Sequence, residues 1–298
     1  MQRFYRGVMP QSPPLIAAEA LLPLVETGRG LVLLDVRWKL GADDPRAEYT
    51  AGHIPGAIYV DLETELAAPA DPRVGRHPLP APEEIERAAG RWGVRPDSLV
   101  VVYDDNRGMS AARAWWLLRW IGHEQVQVLD GGLGAWRAAG GQLTAAVTPP
   151  PAGEPQPLAG ERGAMPTVDA DDIREGRVEV LLDARDADRY RGEREPVDAV
   201  AGHIPGAASA PTAENVDADG RFLPPDALRQ GFDTRGVQPG ARVAVYCGSG
   251  ISATHEVLAL ELAGIRASLY PGSWSGWIGD PSRPIATGDE HDEEQEPR

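Results

Sequence analysis

Ala51-Gly-His-Ile-Pro-Gly-Ala57 recurs letter for letter as Ala201-Gly-His-Ile-Pro-Gly-Ala207, and reading outward from this pair uncovers a second copy of most of the chain. Upstream, Leu33-Leu-Asp-Val-Arg37 matches Leu181-Leu-Asp-Ala-Arg185. Downstream, Val102-Tyr103 matches Val245-Tyr246, Gly108-Met-Ser-Ala111 matches Gly250-Ile-Ser-Ala253, and Gly132 to Trp136 matches Ser273 to Trp277. The offset drifts only from about 150 to about 141 residues, so the segments keep their order and spacing as tandem domains require. A length of 298 residues also suits about two domains.

Each half alternates short apolar runs with helical stretches. The runs 31–36, 99–103, 178–182 and 241–246 suit strands buried on both faces of a parallel sheet. Residues 110–121 and 252–263 read as helices stopped by Gly122 and Gly264, glycine being the usual residue just past a helix end. The order strand, loop, helix predicts an α/β fold in both halves, each a mainly parallel central sheet flanked by helices. The sequence divides into domains at 12–147 and 167–287. A proline-rich stretch at 148–166 reads as an extended linker, and 288–298 as an acidic disordered tail.

Composition excludes several functions. Against 45 acidic residues stand 29 basic ones, a net charge of −16, which argues against nucleic acid or an anionic membrane as partner. Cys247 is the only cysteine, so there is no intrachain disulfide or cysteine-rich metal site, and the six histidines show no metal-ligand spacing. No segment reads as a signal peptide or a membrane span, which makes a cytoplasmic protein the expectation.

That lone thiol stands in Val243-Ala-Val-Tyr-Cys247-Gly-Ser-Gly-Ile-Ser252, where a buried strand ends and a helix begins. Ligands of open α/β sheets bind at this end of the strands. The two glycines allow successive N–H groups to converge on one point, and the helix start adds its positive end. Together they favour a thiolate over a thiol and would stabilise a persulfide sulfur. In the first half the same point reads Tyr103-Asp104-Asp-Asn-Arg-Gly108, with aspartate in place of cysteine. One half is equipped for thiol chemistry and the other is not.

The two halves resemble tandem rhodanese domains, and the whole chain over roughly residues 12 to 280 is similar to the thiosulfate/3-mercaptopyruvate sulfurtransferases. The resemblance rests on Gly-His-Ile-Pro-Gly-Ala twice, on the Cys247-Gly-Ser-Gly-Ile-Ser252 loop and on Gly272-Ser-Trp-Ser-Gly-Trp277. It implies an inactive first domain and a catalytic second one, with the site between them. It also implies a persulfide on Cys247 that carries sulfane sulfur from a small donor to cyanide, a thiol or a thioredoxin-like acceptor. No metal or cofactor is implied. The active-site loop is Gly248, Ser249, Gly250, Ile251 and Ser252.

Further roles come with the resemblance. Arg189 falls where the family places a donor-binding arginine, with Arg191 and Arg194 nearby, and Trp274 where it places a tryptophan at the mouth of the site. A second family arginine before Gly-His-Ile-Pro-Gly is missing; Val197 and Asp198 occupy that neighbourhood. In the mercaptopyruvate enzymes a loop serine works with a first-domain histidine and aspartate, positions that fall on His53 and Asp44. His53 also has a purely structural reading, because His203 repeats it. Asp35 with Arg37 and Asp183 with Arg185 occur in both halves and read as structural pairs. Trp115, Trp116 and Trp120 read as core or interface.

Two alternatives are weaker. A Cys-x5-Arg phosphatase needs an arginine at position 253, which is Ala253. A non-catalytic binding module has no use for the thiol. The loop itself offers thiosulfate no cation, which favours 3-mercaptopyruvate as donor.

Overall fold

The computed structural model of the chain describes residues 13–44, 46–149, 158, 160 and 162–289. The sequence-based assignments to most of 148–166 and to 290–298 lie outside the described residues.

The first domain holds a five-stranded sheet of β1 (Leu15–Ile16), β2 (Leu31–Asp35), β3 (Ala57–Tyr59), β4 (Leu99–Tyr103) and β5 (Val126–Leu129). Its spatial order is β1-β5-β4-β2-β3, every pairing parallel. The second domain holds β6 (Val180–Asp183), β7 (Ala207–Ser209), β8 (Val243–Tyr246) and β9 (Ala267–Leu269) in the order β7-β6-β8-β9, again all parallel. The predicted runs are thus strands, with ends that shift by no more than two residues. All four residues of β8 are buried, as a central strand covered on both faces demands. From β6 the chain steps to β7 on one side and returns to β8 on the other, which opens a crevice at the carboxyl ends of β6 and β8.

The repeated motifs hold each domain together in the same way. Asp35 grips Arg37 through Nε at 2.9 Å and Nη2 at 2.6 Å, and Arg37 donates onward to the Gly52 carbonyl at 2.9 Å. Asp183, Arg185 and Gly202 repeat the arrangement. His53 stacks on Tyr49 with its Nδ1 2.8 Å from the Tyr49 carbonyl, and His203 does the same with Tyr190. These residues fix the turn that carries Gly-His-Ile-Pro-Gly.

The domains meet along two helices, Met109–Trp120 and Ser252–Leu262. Both are apolar nearly all round, the pattern of a helix buried on every side. Trp115 and Trp116 are fully buried there, within one cluster that runs through both domains. Among the described residues no helix is long and apolar enough to cross a membrane.

Candidate active site

β8 delivers Cys247 to the carboxyl edge of the second sheet, facing the crevice. The thiol is 2% exposed, and its Sγ accepts a hydrogen bond from the Gly250 N–H at 3.1 Å. The loop is clamped from behind. Cys247 N–H donates to Ser273 Oγ, while the Cys247 and Gly248 carbonyls accept from the N–H groups of Trp274 and Ser275. Gly250 stands at φ +82°, where a Cβ would lie 2.6 Å from the Pro271 carbonyl oxygen, so backbone and space both require glycine. Ser252 is already the first residue of the following helix.

The first domain shows what this cradle does to an anion. Asp104 occupies the position of Cys247 at the end of β4, and its carboxylate accepts from four backbone N–H groups. Asn106 and Gly108 donate to Oδ1, Ser110 and Ala111 to Oδ2, all at 2.8–2.9 Å. Burial lifts this carboxyl above the ordinary aspartate range, and the four donors pull against that rise. The repeat places Gly250, Ser252 and Ala253 where Gly108, Ser110 and Ala111 stand. The same backbone is therefore available to a charged sulfur.

Ser249 meets a histidine, but not the expected one. Its Oγ lies 2.7 Å from Nδ1 of His77, whose Nε2 lies 3.1 Å from Oε2 of Glu63. Trp38 fixes Glu63 through its Nε1 at 3.0 Å and packs edge-on against the His77 ring. A carboxylate can only accept, so Nε2 carries the proton and Nδ1 accepts from the serine hydroxyl. Burial holds His77 below the ordinary histidine range; Glu63 opposes this, and Arg113 and Arg76 add to it. The imidazole is therefore neutral near pH 7. His53 and Asp44 are not part of this chain. His53 is committed to Tyr49, and Asp44 is exposed with Oδ1 accepting from the Arg46 N–H.

Arginines surround the loop although none lies in it. A Cβ on Gly248 would sit 3.2 Å from Nη2 of Arg76 and 3.5 Å from Nη2 of Arg189. Arg189 is thus where the sequence predicted. Arg191 is not: it turns outward to an ion pair with Glu193. Arg194 likewise pairs with Asp188 at the surface. Trp274 is fully buried rather than lining a mouth. Its Nε1 donates to the Val200 carbonyl, and the Arg185 guanidinium lies 4.7 Å from the centre of its ring, so it supports the loop from beneath.

Arg113 also escaped the sequence reading. It is fully buried in the first domain's interface helix and donates to carbonyls only: Leu66, His77, Pro78 and, across the interface, Gly250. Burial draws its pKa down to about 10, which leaves it charged beside Cys247. A cavity of about 590 Å³ lies elsewhere, around Val178, Val243 and Ala267. Those residues sit at the amino ends of the strands, the wrong edge for this chemistry.

A buried thiol, the hydrogen-bonded Ser249, His77 and Glu63, and two arginines thus meet between two parallel-sheet domains. A protein of Mycobacterium tuberculosis provisionally named thiosulfate sulfurtransferase SseB is 45% identical over 276 residues, covering 92% of this chain and 97% of the relative. A probable 3-mercaptopyruvate sulfurtransferase of Pseudomonas aeruginosa is 48% identical over 270 residues, covering 87% and 93%. The crystal structure of SseA from Escherichia coli, a 3-mercaptopyruvate sulfurtransferase, superposes with a TM-score of 0.76 at 32% identity, over 88% of this chain and 99% of that one. The model of the rhodanese-like domain matches twice, at residues 17–139 and 168–280, so the chain belongs to the rhodanese family as a tandem-domain member.

Proposed function

We propose that the chain is a sulfurtransferase that moves sulfane sulfur from a small anionic donor through a Cys247 persulfide to a thiophilic acceptor. The observation that carries this is the paired loops. One holds the only thiol, and the other presents the same cradle to a carboxylate through four N–H donors.

With 3-mercaptopyruvate the Cys247 thiolate attacks the donor sulfur. The Sγ–S bond forms, the C–S bond breaks, and its electron pair leaves as the enolate of pyruvate. The proton that the donor sulfur carried ends on the former methylene carbon. Ser249 passes it to neutral His77 and back, and Glu63 steadies the transient imidazolium. The persulfide anion rests on the loop N–H groups. Cyanide or a thiolate then takes the terminal sulfur and returns the Cys247 thiolate.

The donor proposed is 3-mercaptopyruvate in preference to thiosulfate. Thiosulfate leaves as sulfite and needs no proton, so it makes no use of Ser249, His77 and Glu63. Moreover, Arg76 and Arg189 are balanced by Asp198 and Glu195, a neutral cluster that better suits one carboxylate than a dianion. Cyanide, a thiol or a thioredoxin-like protein serves as acceptor, and the reduced thiol it needs fits the cytoplasm. The domain limits remain those read from the sequence, 12–147 and 167–287.

The test is mass spectrometry of the protein after exposure to donor without acceptor. One added sulfur atom is expected on Cys247 and none on Cys247→Ser, which should retain the wild-type melting temperature. Undiminished turnover by Cys247→Ser would refute the mechanism. Side-by-side kcat/KM values should favour 3-mercaptopyruvate, and a preference for thiosulfate would overturn the donor assignment.

A further inference from the structure

We propose that Arg76, supplied by the first domain, is a second donor-binding arginine, and that Asp198 is a built-in anion occupying the place where the donor's charged group docks between Arg76 and Arg189. This rests on the sulfurtransferase reading above. Both guanidiniums converge on Gly248, the residue after the nucleophile, one from each domain. The Asp198 carboxylate bridges them, Oδ1 to Nη1 of Arg76 and Oδ2 to Nη2 of Arg189 at 3.2 Å. A monoanionic carboxylate held between two guanidiniums is the arrangement that a 2-oxo acid donor presents as well.

Arg189 has two acidic partners, held differently. Nε and Nη2 are taken by Glu195 at 2.7–3.1 Å, which orients the fork; both Nη atoms border Gly248, and Nη1 has no hydrogen bond among the described residues. Glu195 is thus the permanent partner. Asp198 is the exchangeable one, being bound more loosely to Arg189 and desolvated, with burial raising its carboxyl above the ordinary range.

Asp198 is not needed to hold Arg76 in place. The Arg76 N–H donates to Ser275 Oγ at 3.1 Å, and Gly75 packs so closely on the second domain that a Cβ there would lie 2.7 Å from the Gly272 carbonyl oxygen. The segment is anchored through its backbone, so the guanidinium can leave Asp198 for a donor while its Cα stays where it is. An incoming anion must displace Asp198 from at least one arginine, and Asp198 therefore acts as an internal competitor that sets donor affinity.

The test is steady-state kinetics at saturating cyanide with 3-mercaptopyruvate varied, for wild type, Asp198→Asn, Arg76→Ala and Arg76→Lys. Asp198→Asn removes the competing charge and should lower donor KM by about threefold or more, the effect falling on KM rather than kcat. Arg76→Ala should raise donor KM by about tenfold or more, as loss of a charge-assisted contact does. Arg76→Lys, which keeps the charge but loses the fork, should fall between the two and guards against an alanine variant that fails to fold. If Asp198→Asn raises donor KM or leaves it unchanged, Asp198 is a positioning group and the proposal is overturned; an unchanged KM in Arg76→Ala or Arg76→Lys also overturns it. Failure of the broader reading is distinguishable, because the wild type would then acquire no sulfur on Cys247 from any donor.

Discussion

Replacing Ser249 with alanine should separate the two donors. The hydroxyl is the link between the loop and His77, at 2.7 Å, and its loss strands a buried imidazole nitrogen. An unpaired buried polar group costs about 1–3 kcal/mol, so the variant should melt a few degrees lower yet remain folded. The larger effect is kinetic. A positioned proton carrier contributes about a hundredfold or more to a step that moves a proton, and only the 3-mercaptopyruvate half-reaction moves one. The assay is rapid quench of enzyme with each donor in the absence of acceptor, followed by mass spectrometry of the Cys247 peptide. Persulfide formation from 3-mercaptopyruvate should slow by about a hundredfold, and formation from thiosulfate by about threefold or less. Equal slowing with both donors would mean that Ser249 acts by shaping the loop, and the relay would have to be abandoned.

Two further outcomes follow from the same geometry. Glu63→Gln removes the charge that opposes the burial of His77, so the imidazole pKa should fall further. Because neutral His77 is the competent form, the acid limb of the kcat/KM profile for 3-mercaptopyruvate should move to lower pH while the plateau drops. A limb that moves upward would contradict the assigned tautomer. Gly250→Ala forces a side chain into a left-handed position with 2.6 Å to the Pro271 oxygen, and should destabilise the protein by at least about 1–2 kcal/mol and impair persulfide formation. Thermal melting and the same mass measurement read both effects.

How far the sequence carried the reading depended on whether a residue was repeated. Strands, interface helices and structural ion pairs were legible because both halves carry them, and repetition marks what any copy of the fold needs. The same logic was available for the histidines. His53 has its twin in His203 and is structural, whereas His77 and Glu63 lie outside the repeated motifs; His77 meets Ser249, and Glu63 meets His77. What could not be read was the partnership itself, since Ser249 and His77 lie 172 residues apart and meet only when the interface helices pack. Arg76 was hidden for the same reason. Trp274 was misplaced because a motif position specifies a neighbourhood, not which way an indole points; the Arg185 guanidinium over its ring draws it inward.

Arg113 binds the history of the two halves together. Its guanidinium is fully buried, has no carboxylate partner among the described residues, and meets carbonyls from both domains. A first half separated from the second would lose the Gly250 acceptor and expose an apolar helix with this cation in its midst. A separated second half would keep its thiol but lose the charge beneath the loop and the histidine above it. The duplicated halves have therefore ceased to be interchangeable modules. The copy without a thiol supplies side chains against which the other copy's loop is packed, so a change on either side of the seam must be matched across it.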